Sequence, residues 1–438
     1  MAQDGTAGDT NVSGAQGVQA GSGNTQINNW STRAPLTPAI LAARNAEAGA
    51  ARIRQLSHDE AVDLFADTGA EVLAAKLKVL LRSADQQRVV AILADLDASK
   101  AAELISPLAT AFPWLPALPV AAEALAQRAA ELEWDQEPEI GRLERAGRSP
   151  KGTEGYFRQY TQGSIYWRND VKATFAVSGE IGEFHAANGG TEAELGFPEQ
   201  DGGHWHSGRA DGRGQPFEGG YLFSSSHGTY SLSPEFWGAW HRWLGFPLGI
   251  VEAHDGVTLQ RFEEGSLYSS KAGMFAVRSE VAESGKGLLV PISTEELVRS
   301  DPAAWVQYFE WVGQGGETAV YSSTKTGAHP VSGAVLGFYK ELGGPDSALG
   351  LPVAAAEFPK GIKIRYFQRF EHGSIYFQFH TGARMVPAET VALVGDRLGW
   401  PVSQEESAGT GDGDRIQFFE NGVVTLRGGR REAWCRER

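Results

Sequence analysis

The chain has 438 residues, enough for two or three domains and a substantial buried core. Its formal charge of -15 excludes nucleic acid and anionic membrane surfaces as general partners. One cysteine, Cys435, excludes an internal disulfide and a cysteine-based zinc cluster, and no apolar run is long enough to span a bilayer.

Residues 1–34 read as a disordered arm. From Thr10 to Thr32 there is no charged side chain, and two strand-capable pieces, 15–20 and 24–30, flank the flexible Gly21-Ser22-Gly23. Glutamine and asparagine stack into amide ladders when identical chains lie in register. Residues 11–30 are therefore expected to self-assemble, through Val18, Gln19, Ala20, Gly21, Asn24, Gln26 and Asn28. The stretch Val18-Gln-Ala-Gly21 beside Asn24-Thr-Gln-Ile-Asn-Asn-Trp30 resembles the RHIM-like amyloid signalling motifs of bacterial immune and cell-death adaptors. That resemblance implies a partner that is a second copy or a motif-matched signalling protein. The start, Met1-Ala-Gln-Asp-Gly-Thr6, lacks the basic and apolar segments of a secretion signal, so the expected location is cytoplasmic, with the cell envelope as the alternative.

Residues 35–137 are alanine-rich and helical. Ser57–Glu60 and Ser83–Gln86 have capping-box spacing, and Leu64, Phe65, Leu73, Leu77, Val89, Val90 and Leu93 recur at helical intervals. A small all-α domain is expected. Residues 138–154 read as a linker.

The span 155–427 repeats itself. The motif F-x-x-G-S-[IL]-Y occurs at Phe262–Tyr268 and Phe370–Tyr376, with looser copies ending at Tyr166, Phe223, Tyr321 and Thr425. Between them lies a second signature, Leu195-Gly-Phe-Pro198, Leu244-Gly-Phe-Pro247, Leu349-Gly-Leu-Pro352 and Leu398-Gly-Trp-Pro401. Its glycines and prolines (Gly196, Pro198, Gly245, Pro247, Gly350, Pro352, Gly399, Pro401) are structural corners, where glycine takes a left-handed conformation and proline stops the helix. Leu288-Leu-Val-Pro291 is a decayed corner, followed by what reads as part of an insertion over about 281–316. A period near 50 residues means a repeat architecture, each unit a β-hairpin, a short helix and a sharp corner. Residues 428–438 read as a basic tail.

The corner tetrapeptide and its spacing make 155–427 similar to LGFP-repeat domains, found mainly on actinobacterial cell-envelope proteins. The resemblance implies a closed, propeller-like ring of five or six units that holds wall glycan. The overall expectation is thus an α+β multidomain chain: arm, small all-α domain, ring.

Strand alternation puts Tyr166, Phe223, Tyr268, Tyr321 and Tyr376 on one face of the pleat. They are candidates for stacking on a sugar, or for packing against the neighbouring unit. Glu218, Glu263, Glu371 and Glu420 follow the turn aromatics as turn residues. His204 and His206 share a strand face, but two ligands without an acid cluster fall short of a metal site. No nucleophile-elbow, zincin or phosphate-loop motif occurs. The expected function is non-catalytic, without cofactor or metal: binding of a glycan or protein ligand, with homotypic recruitment in a bacterial signalling or immune system. The alternatives are an exported envelope glycan-binding protein and a polysaccharide hydrolase.

Overall fold

The computed structural model describes residues 45–135, 141–207, 209–285, 289–311, 316–359, 365–393, 397–409 and 413–435. The expected self-assembly residues, Val18 to Asn28, lie outside these. The chain divides into two compact units, Met1–Pro113 and Trp114–Arg438. Among the described residues no helix is long and apolar enough to cross a membrane.

Among its described residues the first unit holds five α-helices: α1 Ala46–Ile53, α2 His58–Asp67, α3 Ala70–Leu81, α4 Gln86–Ala94 and α5 Ala98–Ile105. At α2 the capping box forms as the spacing predicts, Ser57 accepting from the Glu60 amide while Glu60 accepts from the Ser57 amide. At α4 it does not. Asp85 is the N-cap and makes no side-chain cap bond, because Ser83 Oγ sits 2.8 Å from both the Leu80 carbonyl oxygen and the Asp85 carboxylate. Leu64, Phe65, Leu73, Leu77, Val89, Val90 and Leu93 are all buried in this unit.

The second unit begins with α6, Leu118–Glu131, which the sequence reading assigned to the helical domain. It packs over the first sheet, burying Leu118, Ala121, Leu125 and Ala129 along one stripe. Among the described residues six small antiparallel sheets follow. The first comprises β1 Leu143–Ala146, β2 Gly155–Tyr160, β3 Gly163–Arg168 and β4 Ala173–Ser178, followed by α7 Gly179–Ala187. The second has β5 Gly203–His206, β6 Asp211–Phe217, β7 Gly220–Ser225 and β8 Gly228–Leu232, then α8 Pro234–Ala239. The third has β9 Glu252–His254, β10 Val257–Arg261, β11 Gly265–Ser270 and β12 Gly273–Arg278, then α9 Ser279–Ser284. The fourth has β13 Leu289–Pro291, β14 Glu296–Ser300, β15 Ala303–Trp311, β16 Glu317–Ser323 and β17 Gly327–Ser332, then α10 Gly333–Glu341. The fifth has β18 Arg365–Phe370, β19 Gly373–Gln378 and β20 Gly382–Pro387, then α11 Ala388–Val391. The sixth has β21 Glu406–Ser407, β22 Arg415–Phe419, β23 Gly422–Arg427 and β24 Arg430–Cys435.

Three sequence boundaries move. The expected linker 138–154 contains β1, because Leu143–Ala146 pairs along β2. The expected basic tail contains β24, which completes the sixth sheet. The span read as an insertion supplies α9 and strands β13 to β15.

The sheets join through five seams. In four of them a helix and the face bearing the expected aromatic meet the corner and the aliphatic residue of the next sheet; in the third, Tyr268 and the helix residue Val281 meet Phe309 and Val320. The first seam buries Tyr166, Val177 and Ile181 against Leu195, Phe197, Phe217 and Leu222. The aliphatic positions Ile165, Leu222, Leu267, Val320, Ile375 and Val424 are all buried. Among the described residues no seam joins the sixth sheet to the first, so a closed ring is not found; α6 covers the first sheet instead.

The corners repeat in register. Pro198, Pro247, Pro352 and Pro401 bridge to Phe217, Phe262, Phe370 and Phe419. Pro291 pairs with Phe309 in the same way, so the decayed corner keeps its place although Leu289 replaces glycine. The corner glycines have φ of 67°, 76°, 72° and 72°, and a Cβ on Gly196 would fall 2.4 Å from a Glu218 carboxylate oxygen. Three of the turn glycines obey a different rule. Gly265, Gly373 and Gly422 lack positive φ; a Cβ there would fall 2.4, 2.6 and 2.2 Å from the carbonyl oxygens of Val277, Val386 and Trp434. At these three, close approach of the next strand demands glycine; Gly163 and Gly220 combine the same approach, 2.2 and 2.1 Å from the carbonyl oxygens of Val177 and Leu232, with φ of 154° and 145°.

Candidate functional site

The turn acids hold the corners. The carboxylates of Glu218, Glu263, Glu371 and Glu420 accept from the amides of Phe197, Phe246, Leu351 and Trp400 at 2.9, 3.0, 2.9 and 3.1 Å. Each also meets a basic group of the preceding unit: Arg168, His227, Lys325 and Arg365 respectively. Burial pushes the Glu371 carboxyl up, but the Leu351 amide, Lys325 and Arg299 together lower it to about 2.

Three seams carry a further tie from helix to corner. His185 Nε2 donates to the Gly196 carbonyl oxygen at 2.9 Å, Trp240 Nε1 to that of Gly245 at 3.2 Å, and the Tyr339 hydroxyl to that of Gly350 at 2.6 Å. Three residue types do one job, which is why the sequence hides it.

The five candidate aromatics all face seams. Tyr166, Phe223 and Tyr321 are buried, so their faces are taken up by protein. Tyr166 lies 6.3 Å from Phe197, Phe223 lies 5.7 Å from Phe246, and Tyr376 lies 5.1 Å from Trp400, each an edge contact with the residue after the corner glycine. Tyr321 instead meets Tyr339 at 5.4 Å. Burial pushes the Tyr166 hydroxyl up to about 12.

Tyr268 differs. The residue after its seam's corner position is Val290, no ring, so Tyr268 lacks the edge contact that Tyr166, Phe223 and Tyr376 make there; Phe275 is its cross-strand partner, and Phe309 and Trp311 belong to the same seam. It is half-buried and lines a cleft of about 500 Å³ together with Leu259, Arg261, Glu252, His254 and Glu283. Burial raises the Tyr268 hydroxyl, with Arg261 opposing and Glu252 adding to the shift. Arg261 Nη2 lies 3.3 Å from Glu252 Oε2. A second cleft, about 450 Å³, is lined by Asp255, Lys271, Val290, Ile292, Glu310 and Trp311. Both clefts flank the third seam, where the corner has lost its glycine and its large apolar residue. The geometry offers aromatic and polar walls of a size suited to a small ligand.

The histidines stand apart from this site. His206 Nδ1 lies 2.5 Å from Asp211 Oδ1 at the surface, and His204 is exposed. Among the described residues no three His, Cys, Asp or Glu side chains converge for a metal. Sequence reasoning singled out Tyr268 but missed Arg261, Glu252 and Trp311, because only the fold brings them to one seam.

Six like units joined face to face by seams define a repeat protein. Residues 288–347, the fourth unit from its decayed corner onward, match the LGFP repeat family. No curated protein matches the chain. Among solved structures it is similar to the extracellular domain of a one-component system from B. thetaiotaomicron, at 10% identity and a TM-score of 0.12, covering 70% of this chain and 38% of that one. It is also similar to PorZ, a surface component of the type-IX secretion system of Porphyromonas gingivalis, at 8% identity and a TM-score of 0.11, covering 65% of this chain and 31% of that one. The chain thus spans well under half the length of either, and overlaps at these scores do not establish a shared fold.

Proposed function

We propose that this chain is a non-catalytic binding protein that holds a glycan at the third seam and is gathered into assemblies by residues 11–30. The observation that carries the first half is Tyr268: an aromatic without the corner ring that Tyr166, Phe223 and Tyr376 pack against, on the wall of a roughly 500 Å³ cleft beside Arg261 and Glu252. A sugar ring presents an apolar face to such a platform and hydroxyls to the charged rim. The LGFP match over 288–347 covers one side of that seam. The second half rests on the uncharged Gln/Asn-rich stretch, which suits recruitment by a second copy or a signalling protein with a matching motif.

Titration of the full chain with solubilised cell-wall polysaccharide fragments tests the binding half. Binding by the parent chain that Tyr268→Ala weakens at least tenfold is expected; equal binding by both would sink it. Release of smaller sugars during the titration would overturn the non-catalytic reading. For the arm, a peptide of residues 9–32 should form fibrils that bind thioflavin, and failure even after seeding removes that half.

A further inference from the structure

We infer that the two clefts of the third seam are one groove, shaped for a linear chain of neutral or amino sugars and set against anionic polymers. This rests on the glycan reading above and goes beyond it in length and charge.

Alternate residues of a strand share a face, about 7 Å apart. On β10 and β11 the face turned toward the fourth unit carries the cross-strand pair Leu259–Tyr268 and, two residues further along each strand on the same face, Val257 and Ser270. Val257 and Ser270 line the cleft of about 450 Å³, and Leu259 and Tyr268 the cleft of about 500 Å³. The β9–β10 hairpin is shared likewise: His254 belongs to one cleft and Asp255 to the other. The two spaces therefore abut along the strands, and each has its own ring, Trp311 in one and Tyr268 in the other. A compact ligand needs one platform; two platforms in a strand-parallel groove fit successive rings of a chain.

The charge is lopsided. Five carboxylates line the groove, from Glu252, Asp255, Glu263, Glu283 and Glu310, against the permanent cations of Arg261 and Lys271. Glu252 is paired with Arg261 and Glu263 with His227, which leaves three, Glu310, half-buried on β15, Glu283, exposed on α9, and Asp255, exposed on its turn, to set the field met by a ligand. Such a field repels uronates and phosphodiesters and favours ammonium groups.

Calorimetry on the full chain separates the possibilities. The ligands are N-acetylated chito-oligosaccharides of increasing length, a fully deacetylated hexamer and an oligogalacturonate hexamer. We expect affinity to rise at least tenfold from the disaccharide to the tetramer. Trp311→Ala should remove that gain, and Trp311→Phe, which keeps a ring in place, should retain most of it. The deacetylated hexamer should bind at least tenfold tighter than the galacturonate. The double change Asp255→Asn with Glu283→Gln, at exposed positions, should weaken the deacetylated chain several-fold and spare the acetylated one. Tyr268-dependent binding with no length gain would show two separate clefts and overturn the inference while the glycan reading stands. Galacturonate binding as tight as the deacetylated chain would overturn the charge assignment. Absence of binding by every one of these sugars would take the glycan reading down as well.

Discussion

Gln368 Nε2 donates to the carbonyl oxygen of Pro330 at 2.8 Å, reaching from the fifth sheet to the outer strand of the fourth. Its second proton goes to Ala354, in the loop after its own corner, at 3.0 Å. Gln215, Gln260, Gln307 and Gln417 repeat both bonds, to Ala176 and Gln200, Ser231 and Gly249, Ala276 and Ser293, and Met385 and Ser403. All five are buried. One amide thus ties sheet to sheet and corner to sheet at every seam.

Replacing Gln368 with methionine, similar in shape but without donors, leaves two carbonyl oxygens short of a partner in a buried seam. Unfolding in urea should show a loss of about 2 kcal/mol. An unchanged midpoint would mean that water replaces the amide.

Gly350→Ala places a Cβ 2.6 Å from a Glu371 oxygen at a φ of 72°, and should cost about 2 kcal/mol or more. Gly337→Ala, on the exposed side of α10 with open space around it, should instead gain about 0.5–1 kcal/mol. Thermal melts of the two variants should therefore move in opposite directions.

His185 gives the first seam a dependence on pH. Burial holds its pKa below the ordinary 6.5, with the bond to Gly196 pulling the other way. The folded state therefore favours the neutral ring. The stability this supplies is fully present above about pH 6.5 and is lost as pH falls through the depressed folded value. His185→Gln should show a smaller drop in urea midpoint between neutral and mildly acidic pH than the parent chain. Equal drops would assign the acid sensitivity elsewhere.

Tyr166 and Tyr268 hold one repeat position in two situations. Tyr166→Ala should destabilise by about 3–5 kcal/mol, since the ring is packed against Phe157, Phe197 and His185. Tyr268→Ala should cost clearly less stability and far more ligand affinity. Denaturation and calorimetry on both variants check the contrast.

Much of this arrangement can be read from residues. The corner tetrapeptides mark four of the five seams, and Leu288–Pro291 marks the remaining one because Pro291 keeps its register with Phe309. Other parts escape a linear reading. Strands such as β9 and β21 are three and two residues long and mostly polar, so no alternation announces them. The motif Q-x-F recurs at Gln215, Gln260, Gln307, Gln368 and Gln417 and was available as a signal, but its role requires knowing that the preceding sheet's outer strand lies within reach. The opening beside Tyr268 is a missing neighbour, and only coordinates show which neighbour is missing.

What recurs at the first, second and fourth seams is a donated proton, offered by an imidazole, an indole and a phenol in turn. Of the three donors the imidazole alone changes charge near neutrality. Grafting a phenol in its place, as His185→Tyr, would keep the tie to Gly196 and silence the response to acid. Sensitivity to the medium can therefore be written into such an array joint by joint, without touching the sheets on either side.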